Sequence, residues 1–289
     1  PVLLPLPSRA SARPDCVTMG ASSSKSLAGK RILVTGGSSG IGKAFAIAAA
    51  KEGAKVAILA RNQYYLEEAR KEIADASGSD AVWAAPANVS EKVQVHFALK
   101  ELTEKMGGHI EILLSNAGFA DPGEIESIDL ARFERQMKVN WLGTVCVVKA
   151  CLPSMKEHRS GRILIVSSQA GQVGIYGYTA YASSKFALRG FGEALYKEAS
   201  PFGVNVGLVY PPDTRTPGHE RELRSTPEIT KKVSEDSETM SAERVAKAII
   251  AGAKTDDFFV PIGFEVLVEG RSRQRVCAMR CAKSGRHRA

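Results

Sequence analysis

The chain has 289 residues, 44% of them apolar, so it can bury one sizeable core but is short for two α/β domains. Its formal net charge is +8, yet residues 271–289 alone contain seven basic side chains and no acid. Residues 31–270 hold 28 basic and 30 acidic side chains, and this balance argues against the basic groove of a nucleic-acid-binding domain. We therefore expect no nucleic-acid partner.

The uneven charge predicts one domain with two tails. We expect a disordered leader at residues 1–28, a folded domain at 29–265 and a disordered basic tail at 266–289. Electrostatic binding of the tail to anionic lipid headgroups or nucleic acid is the alternative. No run reaches the roughly 18 apolar residues that span a bilayer, so we expect no transmembrane segment. The five cysteines match neither a disulfide framework nor a paired C-x-x-C site, and we expect no metal.

Short β-branched runs alternate with amphipathic helical patterns along residues 31–260. The predicted strands are 32–35, 55–60, 81–87, 112–115, 162–167 and 205–209. The predicted helices are 41–52, 64–76, 93–106, 133–158 and 181–199. This alternation predicts one Rossmann-like, doubly wound α/β domain whose mostly parallel sheet has helices on both faces. Residues 213–240 are polar, and we expect them to form a mobile lid or substrate loop.

A glycine-rich turn follows the first predicted strand and precedes the first predicted helix. Such a turn lets the backbone approach a pyrophosphate, and the N-H groups and dipole of the helix N-terminus favour the anion. The spacing departs from the commoner G-x-G-x-x-G. The residues expected to contact the cofactor here are Gly36, Ser38, Ser39, Gly40, Ile41 and Gly42.

The same turn fits a second pattern, the G-x-S-x-G nucleophile elbow of hydrolases, with Ser38 as the nucleophile. A catalytic triad would then need an acid followed by a histidine, for which Asp213 and His219 are the available pair. This alternative leaves Tyr181 and Lys185 without a role.

Tyr181 and Lys185 stand four residues apart in a predicted helix, so both lie on one face. A fixed cation beside a phenol lowers its pKa and prepares it for proton transfer near neutral pH. Ser168 follows a predicted strand, so it lies at the rim of the sheet where ligands bind. Strand alternation turns the adjacent Ser167 away from such a site.

The end of the second predicted strand indicates which dinucleotide is bound. NAD sites place a carboxylate there, about 20 residues beyond the glycines, to bind the ribose 2′-hydroxyl. This chain has Arg61 followed by Asn62. A guanidinium suits a 2′-phosphate, so we expect NADPH, with a surface salt bridge as the alternative role of Arg61.

These motifs together resemble the short-chain dehydrogenase/reductase family over residues 29–262. The resemblance implies hydride transfer between a nicotinamide cofactor and a carbonyl or alcohol, with Tyr181 as acid/base and Ser168 positioning the substrate oxygen. It also implies that Lys185 holds the nicotinamide ribose and lowers the pKa of Tyr181, and that Asn140 anchors a proton-relay water.

Other cofactor contacts are expected at the remaining strand ends. They are Asn88, Val89, Asn116, Ala117, Gly118, Tyr181, Lys185, Pro211, Pro212, Thr214 and Thr216. Asn88 is a departure, because the family usually has an Asp near the adenine. For Asn140, a helix cap or a buried amide is the structural alternative.

The run 210–214, Tyr-Pro-Pro-Asp-Thr, narrows the resemblance, because most members of the family carry Pro-Gly where this chain has Pro211 and Pro212. It is similar to the branch that reduces a long-chain lipid ketone, 3-ketodihydrosphingosine, to dihydrosphingosine with NADPH. The resemblance implies sphingolipid biosynthesis at the cytosolic face of the endoplasmic reticulum membrane. Members usually carry hydrophobic membrane segments, and this sequence shows none. Either the sequence is a fragment or altered at its end, or peripheral contact with the membrane relies on a hydrophobic loop and the basic tail.

Two further readings of the function remain open. One is another carbonyl reductase of the family, acting on steroids, retinoids or small ketones. The other is a catalytically silent nucleotide-binding regulatory protein. Relatives commonly pair through helices that correspond to 133–158 and 181–199, so we also expect a homodimer.

Overall fold

The computed structural model of the chain describes residues 25–234, 239–260 and 262. The expected basic tail, with Cys277 and Cys281, and most of the expected leader lie outside the described residues. Residues 25–28 are described and lie against the domain: the Leu27 side chain is buried, and the Lys25 N-H donates to the Lys254 carbonyl at 3.0 Å.

A seven-stranded sheet forms the centre of the domain, and all of its neighbouring strands are parallel. In chain order its strands are β1 (Arg31–Thr35), β2 (Lys55–Ala60), β3 (Val82–Pro86), β4 (Ile112–Ser115), β5 (Gly161–Val166), β6 (Val204–Val209) and β9 (Phe259–Val260). Their spatial order is β3-β2-β1-β4-β5-β6-β9. The order reverses between β1 and β4, and ligands of such sheets bind at this reversal, beyond the carboxyl ends of the strands.

Helices cover both faces of the sheet. In chain order they are α1 (Gly40–Lys51), α2 (Gln63–Ser77), α3 (Lys92–Met106), α4 (Leu130–Gln136), α5 (Gly143–Glu157), α6 (Thr179–Ala199), α7 (Pro217–Leu223), α8 (Glu228–Ser234) and α9 (Ala242–Ala253). Helices α1, α2 and α9 bury apolar residues against one face, while α3, α5 and α6 pack against the other. The prediction of a mostly parallel sheet with helices on both faces is confirmed.

The predicted helix 133–158 differs from the structure. The chain begins α4 at Leu130, passes through a π-helical turn at Met137–Leu142 and continues as α5 to Glu157. Asp129 explains the earlier start, because its carboxylate caps the helix by accepting from the Arg132 N-H at 3.0 Å. A π turn holds an extra residue, which apolar periodicity does not reveal, and π turns are frequent at functional sites.

The segment 213–240 also differs from its prediction as a loop. It contains α7 and α8, and a two-stranded pair joins β7 (Thr214–Arg215) to β8 (Met240–Ser241). Thr216 caps α7 by accepting from the His219 N-H at 3.1 Å. Pro217 occupies the first helical turn, where the backbone N-H that proline lacks would have no partner within the helix. Local capping therefore starts α7 within a polar sequence.

The last helix and strand, α9 and β9, are absent from the sequence prediction. Helix α9 begins at the Ser241 cap and buries Val245 and Ile249. Strand β9 contains only two residues, Phe259 and Val260, which is too short for an alternating pattern to be recognised. Among all described helices, none combines the length and apolarity required to cross a bilayer.

Two glycines of α6 provide a matched test of its packing. A Cβ atom added at Gly190 meets nothing within 4 Å, whereas one added at Gly192 would lie 2.7 Å from Leu208 Cδ2 in the core. Gly190→Ala should raise the free energy of unfolding by about 0.5–1 kcal/mol through helix propensity. Gly192→Ala should lower it by about 1–2 kcal/mol, because overpacking outweighs that gain.

Chemical denaturation of both variants beside the parent protein measures the difference. A Gly192→Ala variant as stable as Gly190→Ala would show that α6 can move away from β6 without cost.

Candidate active site

The glycine turn joins the end of β1 to the start of α1. Gly36 and Gly40 have φ angles of 67° and 56°, in the left-handed region that favours glycine. A Cβ atom at Gly42 would collide with the Gly36 carbonyl oxygen. Ser39 occupies the N-cap of α1, but its side chain makes no capping hydrogen bond. The turn can therefore present backbone N-H groups and a serine hydroxyl to an anion, which fits a dinucleotide pyrophosphate.

Hydrogen bonds connect this turn to the end of β4. The Thr35 hydroxyl accepts from the N-H groups of Asn116 and Ala117, each at 3.0 Å. The Asn116 side-chain amide donates to the Thr35 carbonyl at 3.1 Å. The Asn116 side chain therefore positions the backbone of the site, which is a structural role beside the cofactor contact expected for it.

Gly118 lies between two polar side chains of the site. A Cβ atom added there would be 3.0 Å from Asn140 Oδ1 and 3.5 Å from Lys185 Nζ. The structure thus brings together three residues that are separated by 22 to 67 positions in the sequence. Glycine at this position allows the backbone to approach the amide and the ammonium group closely.

The side-chain amide of Asn140 is fully buried inside the π-helical turn. Its Oδ1 accepts from the Phe119 N-H at 3.0 Å, while Nδ2 donates to the Phe119 carbonyl at 3.0 Å and to Ser184 Oγ at 2.9 Å. Sequence reasoning identified Asn140 but missed Phe119 and Ser184. The amide is fixed by these three bonds, and it holds the loop after β4 against α6.

Tyr181 lies in the first turn of α6, with Ser168 beside its phenol. Burial raises the pKa of Tyr181 above its ordinary value, and the negative charges of Glu222 and Asp213 add to this, while the Ser168 hydroxyl, as a donor to the phenolate, opposes it. Lys185 is not among the causes of this shift, so the expectation that it lowers the pKa of Tyr181 stays a prediction.

The Lys185 ammonium has a backbone partner close to the Tyr181 ring. Its Nζ donates to the Val166 carbonyl at 3.0 Å and lies 5.6 Å from the centroid of the Tyr181 ring. The side chain is only 4% exposed, and burial lowers the pKa of Lys185 to about 8. The ammonium is therefore directed at a backbone oxygen beside the ring.

The two adjacent serines have different partners, as predicted from strand alternation. Ser167 is buried, and its hydroxyl donates to the Lys185 carbonyl at 3.0 Å. Ser168 is on the other side, where its hydroxyl accepts from the Ala170 N-H at 3.1 Å and lies beside the Tyr181 phenol. The predicted orientation of Ser167 is confirmed.

Arg61 follows β2 and is exposed to solvent. Within the described residues it takes part in no ion pair, which is the alternative role considered for it. The glycine turn reaches this strand end, because the Gly36 N-H donates to the Leu59 carbonyl at 2.7 Å. Asn62 has a structural role as the cap of α2, accepting from the Tyr65 N-H at 3.2 Å.

The other expected cofactor residues lie at the same rim. Asn88 accepts from the Ser90 N-H at 3.1 Å, and Val89 packs against Gly143. The Pro211 carbonyl accepts from the Gln169 N-H at 3.1 Å.

The residues after Pro211 are tied into the backbone around them. The hydroxyl of Thr214 donates to the Pro212 carbonyl at 2.7 Å, and Thr216 caps α7. The hydroxyl groups of both threonines therefore already have protein partners.

Helix α7 adds Glu222 to the site, a residue that was not predicted from the sequence. Tyr178 donates its hydroxyl hydrogen to Glu222 Oε1 at 2.7 Å, and the Tyr178 ring stacks edge-on against Tyr181 with centroids 6.0 Å apart. A lone glutamate in a polar segment carries no signal of such a position. Only the docking of α7 brings it to the site.

The hydrolase alternative finds no support in the geometry. His219 Nδ1 lies 3.9 Å from Glu222 Oε2, on α7. Among the described hydrogen bonds, none joins His219 to Ser38. Ser38 belongs to the glycine turn, beside the uncapped start of α1.

Comparisons with known proteins agree with this geometry. A family model described as short chain dehydrogenase matches residues 30–227. A 3-ketodihydrosphingosine reductase of Bos taurus is 44% identical over 240 residues, which cover 82% of this chain and 72% of the relative. A 3-dehydrosphinganine reductase of Danio rerio is 41% identical over 244 residues, which cover 82% of this chain and 73% of the relative.

A solved structure shares the fold. The crystal structure of levodione reductase superimposes with a TM-score of 0.75 at 27% identity, covering 82% of this chain and 96% of that one. The range matched by the family model, residues 30–227, contains the glycine turn, Asn140, Ser168, Tyr181 and Lys185. The chain therefore belongs to the short chain dehydrogenase family of oxidoreductases.

Proposed function

We propose that the protein reduces 3-ketodihydrosphingosine to dihydrosphingosine with NADPH. The chemistry rests on one observation, the placement of the Ser168 hydroxyl beside the Tyr181 phenol and the buried Lys185. The substrate rests on the names of relatives that are 41% to 44% identical to the chain. Lys185, Tyr181 and the glycine turn meet at one rim of the sheet, where a dinucleotide and a ketone can be held together.

When bound, NADPH supplies a hydride to the carbonyl carbon of the ketone. The protein must then stabilise and protonate the oxygen, on which negative charge develops. Tyr181 donates the proton, and Ser168 donates a hydrogen bond to the same oxygen. Because burial raises the pKa of Tyr181, its phenol is protonated at neutral pH, which is the form that a reduction requires.

Lys185 and Asn140 support this pair. The ammonium of Lys185 would hold the nicotinamide ribose and offset the charge left on Tyr181 after proton transfer. Asn140 keeps the loop after β4 in place through its bonds to Phe119 and Ser184, and we assign to it the anchoring of a relay water. The turn of Gly36, Gly40 and Gly42 would receive the pyrophosphate.

Three further parts of the proposal concern the cofactor type, the location and the assembly. The exposed guanidinium of Arg61 favours NADPH over NADH, because it can pair with a 2′-phosphate. The substrate is a membrane lipid, which favours the cytosolic face of the endoplasmic reticulum and peripheral contact with that membrane. Light scattering tests the proposed homodimer.

NADPH oxidation by the purified protein with 3-ketodihydrosphingosine in detergent tests the function. We expect turnover with this ketone, faster with NADPH than with NADH. Turnover with steroids, retinoids or small ketones only would replace the substrate and keep the chemistry. NADPH binding without turnover on any ketone would favour a regulatory protein.

Tyr181→Phe should lower turnover roughly 100- to 10,000-fold while NADPH still binds, because the proton donor is lost and the ring is kept. Steady-state kinetics and cofactor fluorescence measure the two effects. Tyr196→Phe is the matched control, since it removes a hydroxyl from the same helix where the ring packs on Phe258. Equal turnover of the Tyr181 variant and the parent would remove Tyr181 as the donor.

Arg61→Asp should shift the preference from NADPH toward NADH, because it exchanges a cation for an anion beside the expected 2′-phosphate. The ratio of kcat/KM values for the two dinucleotides measures the shift. Lys71→Asp makes the same change of charge at an exposed position of α2 and should leave the ratio unchanged. An unaltered ratio in the Arg61 variant would mean that other residues hold the 2′-phosphate.

A further inference from the structure

Residues 216–227, here named the cover segment, cross the rim of the active site. At one end, Thr216 Cγ2 would lie 3.0 Å from a Cβ atom added at Gly40, in the glycine turn. At the other end, Pro227 Cγ would lie 2.5 Å from a Cβ atom added at Gly177, four residues before Tyr181. The cover segment therefore extends from the glycine turn, where the cofactor is expected to bind, to the loop that precedes α6.

Glu222 is the residue of the cover segment that faces the reacting groups. Its side chain is 17% exposed, and its Oε1 accepts from the Tyr178 hydroxyl at 2.7 Å. The Tyr178 ring in turn contacts the Tyr181 ring edge-on. His219, on the same helix, lies 3.9 Å from the other carboxylate oxygen. These contacts hold the carboxylate at Tyr178, whose ring adjoins that of Tyr181.

The negative charge of Glu222 affects the pKa values of both Tyr181 and Lys185. It raises the pKa of Tyr181, and it opposes the lowering of the pKa of Lys185 by burial. Asp213 adds a second negative charge near Tyr181. A carboxylate beside a phenol that must release its proton disfavours the reaction. The arrangement becomes favourable when the bound substrate brings a positive charge of its own.

The proposed substrate has such a charge. In 3-ketodihydrosphingosine an amino group stands on the carbon next to the ketone, so its ammonium lies within a few ångströms of the carbonyl oxygen. Tyr181 and Ser168 hold the carbonyl oxygen of the substrate. The ammonium on the neighbouring carbon therefore also lies close to the Tyr181 and Ser168 side chains. A carboxylate is the partner that an ammonium requires when both are removed from water.

We propose that Glu222 binds the ammonium group of the substrate and so selects ketones with an adjacent amino group. The inference rests on the proposed function and adds a specificity-determining residue to it. The Glu222 carboxylate thereby recognises the substrate, and the ammonium of the substrate in turn neutralises the charge of Glu222. Its bond to Tyr178 orients the carboxylate and leaves further lone pairs for the ammonium.

The test compares two substrates that differ only in the charge: 3-ketodihydrosphingosine and its analogue without the amino group. Glu222→Gln keeps the shape and the bond to Tyr178 but removes the charge. We expect it to lower kcat/KM for the amino ketone roughly 10- to 100-fold. For the analogue without the amino group we expect kcat/KM to rise, because no ammonium is bound and the loss of the negative charge near Tyr181 eases the release of its proton.

Two control variants separate charge from structure. Glu220→Gln, at an exposed position of the same helix, should leave kcat/KM for both substrates unchanged. Tyr178→Phe removes a hydrogen bond of Glu222 and keeps its charge, so the preference for the amino ketone should persist. Thermal melting and NADPH affinity check that each variant folds.

Several outcomes would overturn the inference. An equal loss for both substrates in Glu222→Gln would show that Glu222 only anchors α7, and an unchanged variant would show that the ammonium binds elsewhere. A parent protein that reduces the analogue as well as the amino ketone would remove the selectivity while keeping the reductase function. A parent protein inactive on the amino ketone would overturn the proposed function together with the inference.

Discussion

The hydrogen bonds between Thr35 and the Asn116–Ala117 backbone hold together the ends of β1 and β4, and the rest of the site depends on them. These two strands are neighbours where the strand order reverses, so their connections diverge and leave a crevice. The Thr35 hydroxyl and the Asn116 amide satisfy backbone groups that would otherwise be orphaned at this crevice. The glycine turn and the loop carrying Gly118 are thereby placed side by side.

Burial is the main influence on the chemistry of the site. It disfavours the charged form of both catalytic groups, so it raises the pKa of Tyr181 and lowers that of Lys185. Both shifts favour the neutral form, so the Tyr181 phenol keeps its proton and the Lys185 ammonium loses its proton more readily. Added charges, from Glu222 on the protein side and from bound ligands, then decide how the proton moves.

The π turn around Asn140 shows how a polar group can be buried without an energetic penalty. All three described bonds of its amide go to partners inside the protein, Phe119 and Ser184, and the loop after β4 is fixed by them. The extra residue of the π turn rotates Asn140 into this position. The Asn140 side chain thus joins the backbone of the loop after β4 to the Ser184 hydroxyl on α6, and the cover segment lies across the rim of the site.

The sequence by itself determined the parallel sheet and its first six strands to within one residue of their observed ends, because periodicity is local. Short motifs and the family resemblance predicted Asn140, Ser168, Tyr181 and Lys185 as site residues. Only the tertiary structure decided the rest. Strand β9 is too short to have a pattern, the π turn depends on a partner from another loop, and α7 reaches Tyr178 through a single glutamate that no motif marks. The direction of the Tyr181 pKa shift also depends on the fold, since burial and the charge of Glu222 come from elements distant in the chain. Spacing along a helix places Lys185 near Tyr181, but it does not determine which oxygen the ammonium binds.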